Sequence, residues 1–139
     1  MLMGKYTHSI DAKNRLIIPS RLKDQLGPVV VITQDGGGCL SLYSKAGFEE
    51  YASDVTSKSK HEVRDLVRYI FSRSIEVQPD AQGRVLLPQE MVDYSGIKKN
   101  VITVGCGKYA EIWAEERWNE REYDSEPENF IGRMKELEL

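Results

Sequence analysis

The chain has 139 residues, 40% of them hydrophobic and 29% charged, and a net charge of −3. That suits one compact soluble domain with its own core, and no apolar run approaches the roughly 20 residues that a bilayer span needs. The start, Met1-Leu-Met-Gly-Lys-Tyr6, lacks the basic, apolar and small-residue regions of a signal peptide, so an intracellular protein is expected.

In chain order, Tyr6 to Ile10 predicts a strand and Asp11-Ala-Lys-Asn14 a turn, because Asp and Asn bond their own backbone and tolerate turn conformations. Arg15 to Ile18 resumes the strand until Pro19, which has no N–H to give to a ladder. Ser20 to Leu26 fits one or two helical turns, stopped by Gly27. Val29 to Thr33 is a buried strand by its continuous apolar run, Asp35-Gly-Gly-Gly38 a turn, Cys39 to Tyr43 a strand and Lys45 to Ala52 a short helix. Asp54 to Lys60 is polar and predicts a linker. His61 to Ser72 carries Val63, Leu66, Val67, Ile70 and Phe71 on one stripe of an amphipathic helix. Core packing or a subunit contact accounts for that stripe better than a cofactor site.

The same script then returns through Ser74–Val77, Asp80–Gly83, Arg84–Leu87, Gln89–Tyr94, Asn100–Val104, Tyr109–Trp113 and a helix over Glu115–Tyr123. At an offset of 69, Asp11 falls on Asp80, Ala12 on Ala81, Arg15 on Arg84, Pro19 on Pro88, Leu22 on Met91 and Gly27 on Gly96. One residue is added before the next segment, and at 70 Ile32-Thr33 meets Ile102-Thr103, Leu42-Tyr43 meets Ile112-Trp113 and Phe48 meets Trp118. Gly83 stands where the first copy has Asn14, and these two residue types most readily take positive φ. This is a duplicated unit of about 45 residues, too short to bury a core alone, so the two copies are expected to complete one core between them. The fold class is mainly β with short helices (α+β). The expected divisions are a first unit over 5–50, a linker and amphipathic helix over 51–73, a second unit over 74–120 and a C-terminal helix over 121–139. That last helix has capping-box spacing at Ser125-Glu-Pro-Glu128, with Phe130, Met134 and Leu137 on one face. Docking on the body and association between subunits both fit it.

Charge is unevenly spread. From Glu111 onward ten acids face four bases, a local −6, which leaves +3 on the rest. Lys5, Lys13, Arg15, Arg21 and Lys23 are grouped around the first loop, opposed by Asp11 and Asp24. Such a face suits a phosphate backbone or a guanine edge. Lys5, Lys13, Asn14 and Arg15 are therefore the candidate DNA-binding residues. Asp11, Asp80, Gly83 and Arg84 are assigned to structuring the loops, because the second loop has one base and lies near Glu76 and Glu90.

Enzyme chemistry has little support. His8 and His61 lack a nucleophile arrangement and neither recurs in the other copy. Gly36-Gly-Gly38 and Gly105-Cys-Gly107 precede strands, not Gly-Lys-Ser/Thr and a helix, and read as hairpin turns. Cys39 and Cys106 have no partner at metal-ligand spacing and read as buried free thiols, so no metal and no cofactor are expected. Tyr43, Phe48, Trp113 and Trp118 occupy matched places and read as core, not as base-stacking platforms.

The opening Met1-Leu-Met-Gly4, the paired Asp11-Ala-Lys-Asn-Arg15 and Asp80-Ala-Gln-Gly-Arg84 with Pro19 and Pro88 behind them, and Val104-Gly-Cys with Glu111-Ile-Trp113 resemble the MraZ family, with its two SpoVT/AbrB-type DNA-binding units. The resemblance runs through nearly the full length. It implies a duplicated AbrB-like swapped-hairpin β-barrel, with a linker helix and a C-terminal helix added. It implies a ring-shaped homo-oligomer that binds short direct repeats of double-stranded DNA upstream of the bacterial division and cell-wall genes, usually as a repressor, in the cytoplasm at the nucleoid. The family's first-loop arginine maps onto Arg15. No membrane and no small-molecule substrate are implied. AbrB-like barrels also serve as antitoxins, so a protein-interaction module of that type is the alternative; a C-terminus with a helix start signal and an apolar stripe differs from a disordered toxin-binding tail.

Overall fold

The computed structural model describes residues 1–121, 123 and 126–139. Its eight strands are β1 (Lys5–Ser9), β2 (Arg15–Ile17), β3 (Val30–Gln34), β4 (Leu40–Ser44), β5 (Ile75–Val77), β6 (Arg84–Leu86), β7 (Asn100–Gly105) and β8 (Ala110–Ala114). The helices are α1 (Ser20–Leu26), α2 (Lys45–Thr56), α3 (Lys60–Ser72), α4 (Gln89–Ser95), α5 (Glu115–Asn119) and α6 (Pro127–Glu136).

The two copies are interlocked. Six strands form one antiparallel sheet in the order β1-β7-β8-β4-β3-β5, and β2 pairs with β6 in a separate ribbon. The first strand of each copy therefore pairs with the third strand of the other, and the two second strands pair together, which is a hairpin exchange within one chain. Among the described residues no ladder joins β1 to β5, so the sheet stays open and the ribbon covers it in place of a closed barrel. Alternation decides which side chains face in. Leu16, Ile18, Val85 and Leu87 from the ribbon segments meet Val30, Ile32, Leu42, Val101 and Ile112 from the sheet and Leu22 and Met91 from the helices, all in one core. Each fully buried side chain of this size contributes roughly 1.5–3 kcal/mol, and neither copy could assemble this set alone.

The strand registers revise the sequence alignment. Ile32 pairs with Leu42 as Thr103 pairs with Ile112, and Val30 pairs with Val77 as Val101 pairs with His8. Val30 and Ile32 thus correspond to Val101 and Thr103, at 71 residues and not 70. A longer approach to β7, Ile97 to Asn100, supplies the extra residues, and a shorter β7–β8 turn restores the offset of 70 at β4 and β8.

The helices follow their signals. Leu22 and Leu26 of α1, and Met91, Val92 and Ser95 of α4, face the core. Gly27 (φ 82°) and Gly96 (φ 71°) follow them in backbone conformations that L side chains rarely adopt. The expected linker shrinks, because α2 continues to Thr56, where the Thr56 hydroxyl donates to the Ala52 carbonyl, and α3 begins at Lys60. α5 ends at Asn119, short of the expected Tyr123. The capping box rests on Ser125, which lies outside the described residues.

Tyr43 and Phe48 join Val31 and Ile70 in a second cluster, but Trp113 and Trp118 are only half-buried, edge to face at 5.9 Å with the Arg121 guanidinium over both rings. The core expectation therefore holds for the first copy's aromatic pair and not for the second's. Cys39 is buried as expected, whereas Cys106 is exposed at the β7–β8 turn.

The N-terminus is tied down across that same turn. Leu2 is buried and exchanges backbone hydrogen bonds with Gly107 (2.8 Å each way), and Gly105 donates to the Gly4 carbonyl. A Cβ at Gly105 would fall 2.4 Å from the Met3 nitrogen and 2.5 Å from the Leu2 carbonyl carbon, so only glycine lets the strand pass. Gly105→Ala is expected to lower stability by about 1–3 kcal/mol, read as a drop in thermal midpoint by circular dichroism; an unchanged midpoint would contradict this close approach.

Candidate nucleic-acid interface

The two loops have one geometry. In the first, Asp11 Oδ1 accepts the backbone N–H groups of Lys13 (2.9 Å) and Arg15 (2.8 Å), while Arg15 Nε donates to Asp11 Oδ2 (2.7 Å). In the second, Asp80 Oδ1 accepts from the N–H groups of Gln82 and Arg84 (both 2.9 Å), and Arg84 Nε donates to Asp80 Oδ2 (2.8 Å). Asn14 (φ 62°) and Gly83 (φ 79°) hold the left-handed position that the alignment anticipated. Arg15's backbone N–H, its guanidinium and Lys13's N–H together hold the Asp11 carboxyl below the usual carboxylate range, and Arg84 and Gln82 do the same for Asp80.

Each loop is braced by the other copy. The Gly83 carbonyl accepts the Ile18 N–H (2.9 Å) and the Asn14 carbonyl accepts the Leu87 N–H (2.8 Å). The Asn14 side-chain amide donates to Gln89 Oε1 (3.0 Å), whose own amide nitrogen reaches Asp93 (2.8 Å).

On the ribbon, Arg15 stands opposite Leu86 and Ile17 opposite Arg84. Leu16 and Val85 point into the core, so period-2 alternation places the other four on the outer face. Ile17 is 50% and Leu86 59% exposed. The outer face is thus a near-symmetric diagonal of two arginines and two aliphatic side chains. A guanidinium held at Nε still has its two terminal nitrogens for a planar acceptor pair, such as guanine O6/N7 or two phosphate oxygens. Ile17 and Leu86 were missed in the sequence, although the alternation through Leu16, Ile17 and Ile18 carries the signal.

Three charge assignments change. Lys23, grouped with the first loop, stands beside the second, its ammonium 3.6 Å from where a Cβ on Gly83 would sit. Glu76 and Glu90, read as opposing Arg84, pair elsewhere, with Lys45 (3.5 Å) and Arg73 (3.1 Å). Lys5 begins β1, six residues before Asp11, and extended chain carries it roughly 20 Å from the loop. Lys13 remains exposed at the first loop's tip. Arg21 lines a hollow with Tyr6, His8, Ile17 and Pro19, which puts a further cation beside the ribbon.

The family model described as "MraZ protein, putative antitoxin-like" matches residues 1–69 and again 70–136. The chain belongs to the MraZ family. It is 37% identical over 139 residues to a protein of Dictyoglomus turgidum, covering 99% of this chain and 93% of that one. It is also 37% identical to proteins of Clostridium acetobutylicum, covering 99% of each chain, and of Moorella thermoacetica, covering all of both. All three are called "Transcriptional regulator MraZ".

The other groups singled out in this MraZ-family chain serve the fold. His8 Nε2 lies 2.7 Å from Thr103 Oγ1, and burial pushes the ring's pKa down. His61 is exposed on α3. Asp35, Cys39 and Glu111 bring their ligand atoms within 4.8 Å of one another, a cluster that the sequence spacing did not show. Its carboxylates already have donors, since Asp35 accepts from Gly37 N (2.8 Å) and Ser41 Oγ (3.0 Å) and Glu111 from Trp113 Nε1 (3.1 Å). Burial first, then these carboxylates, push the Cys39 thiol well up, so it stays protonated. No helix is long and apolar enough to cross a membrane.

The loop carboxylates set an acid limit. A depressed folded-state pKa contributes stability that is full above the unfolded value of about 4 and is lost as pH falls through the folded value. Thermal unfolding of the parent should therefore weaken steadily below about pH 4. The Asp11→Asn, Asp80→Asn double variant should begin less stable at pH 6 and show a flatter acid limb. Parallel pH profiles would contradict the clamp.

Proposed function

We propose that this chain is a sequence-specific duplex-DNA-binding transcriptional regulator. It acts at the nucleoid as a repressor of the bacterial division and cell-wall genes, and binds short direct repeats as a ring-shaped homo-oligomer. The outer face of the β2–β6 ribbon carries the reading. A two-stranded ribbon fits the major groove, and here it offers guanidinium groups aimed by carboxylates, with Ile17 and Leu86 available for thymine methyls. The first loop makes the direct contact through Arg15, with Lys13 on phosphate, because its tip is Lys13 where the second has Gln82. The relatives' regulator name supports the same class. One loop offers few charges on a chain of net −3. Several tethered copies raise the effective concentration of each loop once the first is bound, which suits an array of repeats at regular spacing.

The second reading, an interaction module of the antitoxin type, is favoured by the family description and by the exposed apolar face of α6. It predicts a tight protein partner and no operator.

Arg15→Ala is expected to keep its melting profile and to lose about 1–3 kcal/mol per specific contact, some ten- to hundredfold in Kd on the chain's own upstream region. Arg84→Ala should disturb folding or assembly more than DNA affinity. A folded, assembled Arg84→Ala variant that no longer binds would exchange the roles of the two loops, and a folded Arg15→Ala variant with parental affinity would remove Arg15 from the interface.

Salt separates the two readings. Phosphate contacts give a log–log slope of affinity on salt of roughly −0.9 per phosphate neutralised, shallow for one loop and steep for several. The slope should steepen as repeats are added to the duplex, and a flat response would favour the interaction module.

A further inference from the structure

Two amphipathic helices leave apolar faces uncovered. The end of α2 and the outer side of α3 form a groove of about 560 Å³ lined by Thr56, Lys60, Val63, Arg64, Val67 and Arg68. Lys60, Arg64 and Arg68 recur every four residues, so they stand in one cationic row along the helix edge, beside the two valines. Leu66, 50% exposed, extends the apolar surface. The second helix is α6, which buries none of its residues and leaves Phe130 53%, Ile131 49% and Leu137 51% exposed. Its character is opposite in sign. Glu128 lies in its first turn next to Glu126, and Arg133, one of its two bases, is already paired with Glu136 at 2.8 Å. Apolar faces of this extent mark an interaction site on a soluble chain.

We infer that the α2–α3 groove receives α6 of a second copy of this chain. Phe130, Ile131 and Met134 seat against Val63, Leu66 and Val67, and Glu126 and Glu128 meet the Lys60, Arg64, Arg68 row. Groove and helix are different surfaces, so the contact is head-to-tail, and repetition of a head-to-tail contact closes a ring when the rotation allows. The inference rests on the ring reading above for the number of copies only. In the single chain the α6 stripe is exposed and not seated in its own groove.

The test is complementary mixing, with size-exclusion chromatography and light scattering as the readout. A groove variant, Arg64→Glu with Arg68→Glu, and a helix variant, Phe130→Asp with Ile131→Asp, should each run as a monomer near 15.9 kDa with parental circular dichroism, while the parent runs well above a dimer. Mixed one to one, they should form a species of twice the monomer mass and no larger, because one intact groove meets one intact helix. Adding Glu126→Lys and Glu128→Lys to the groove variant should restore self-assembly by reversing both sides. A mixture that stays monomeric, or either variant assembling like the parent, overturns the proposal. Arg64→Glu with Arg68→Glu that assembles but loses affinity for a single-repeat duplex makes the cationic row a phosphate contact and overturns it too. Both variants leave Arg15 untouched and should bind a single-repeat duplex as the parent does. Failure of every form, parent included, to bind DNA would count against the DNA reading alone.

Discussion

Two backbone hydrogen bonds hold the architecture in place: Ile18 N–H to the Gly83 carbonyl and Leu87 N–H to the Asn14 carbonyl. Each joins the end of one copy's second strand to the left-handed residue of the other copy's loop. They can form only if Asn14 and Gly83 turn their carbonyls toward the facing strand, which a right-handed residue at that place would not do. With these bonds made, β2 and β6 lie in register, Leu16 and Val85 point inward, and Arg15 and Arg84 point out at opposite ends of the ribbon. Core and interface are thus two sides of the same six residues.

The aspartate in each loop extends this constraint to the side chains. One carboxylate oxygen collects two backbone N–H groups and the other fixes a guanidinium. The turn therefore limits the rotamers of the arginine, and any ligand that engages it meets a group ordered beforehand, with less freedom left to lose on binding. A surface ion pair alone is worth little; here its value lies in aiming the arginine.

Most of this was legible in the residues because the duplication repeats local signals that have local causes. Asp at the turn start, Asn or Gly at the positive-φ place, Pro at the strand end and Gly behind the helix gave the elements in order, and α1 matched its expected bounds at both ends. What the sequence did not carry was long-range. The revised offset at β3 and β7 depends on cross-strand register, which side-chain type alone leaves loose when both strands are apolar throughout. Lys23 sits close to the first loop along the chain but is carried by α1 to the second, and Lys5 looks near until an extended strand separates it from the turn. Glu76 and Glu90 lost their expected role because their partners, Lys45 and Arg73, come from distant elements. The end of α2 was misjudged because Ser53, Asp54, Thr56 and Ser57 are polar, yet they cap and extend a helix whose other face already packs on Phe48 and Ile70.

The exchange of hairpins also sets a schedule for synthesis. β1 leaves the ribosome early, yet its partner β7 lies some 95 residues downstream, as the His8–Thr103 contact measures. Until then the first copy presents unpaired strand edges and half a core, the state most open to mispairing with another nascent chain. Fusing the two copies converts what would be a meeting of two polypeptides into a search within one, so assembly of the body does not depend on protein concentration. The same fusion makes folding late and all-or-none: a chain truncated before β7 has nothing for β1 to close upon.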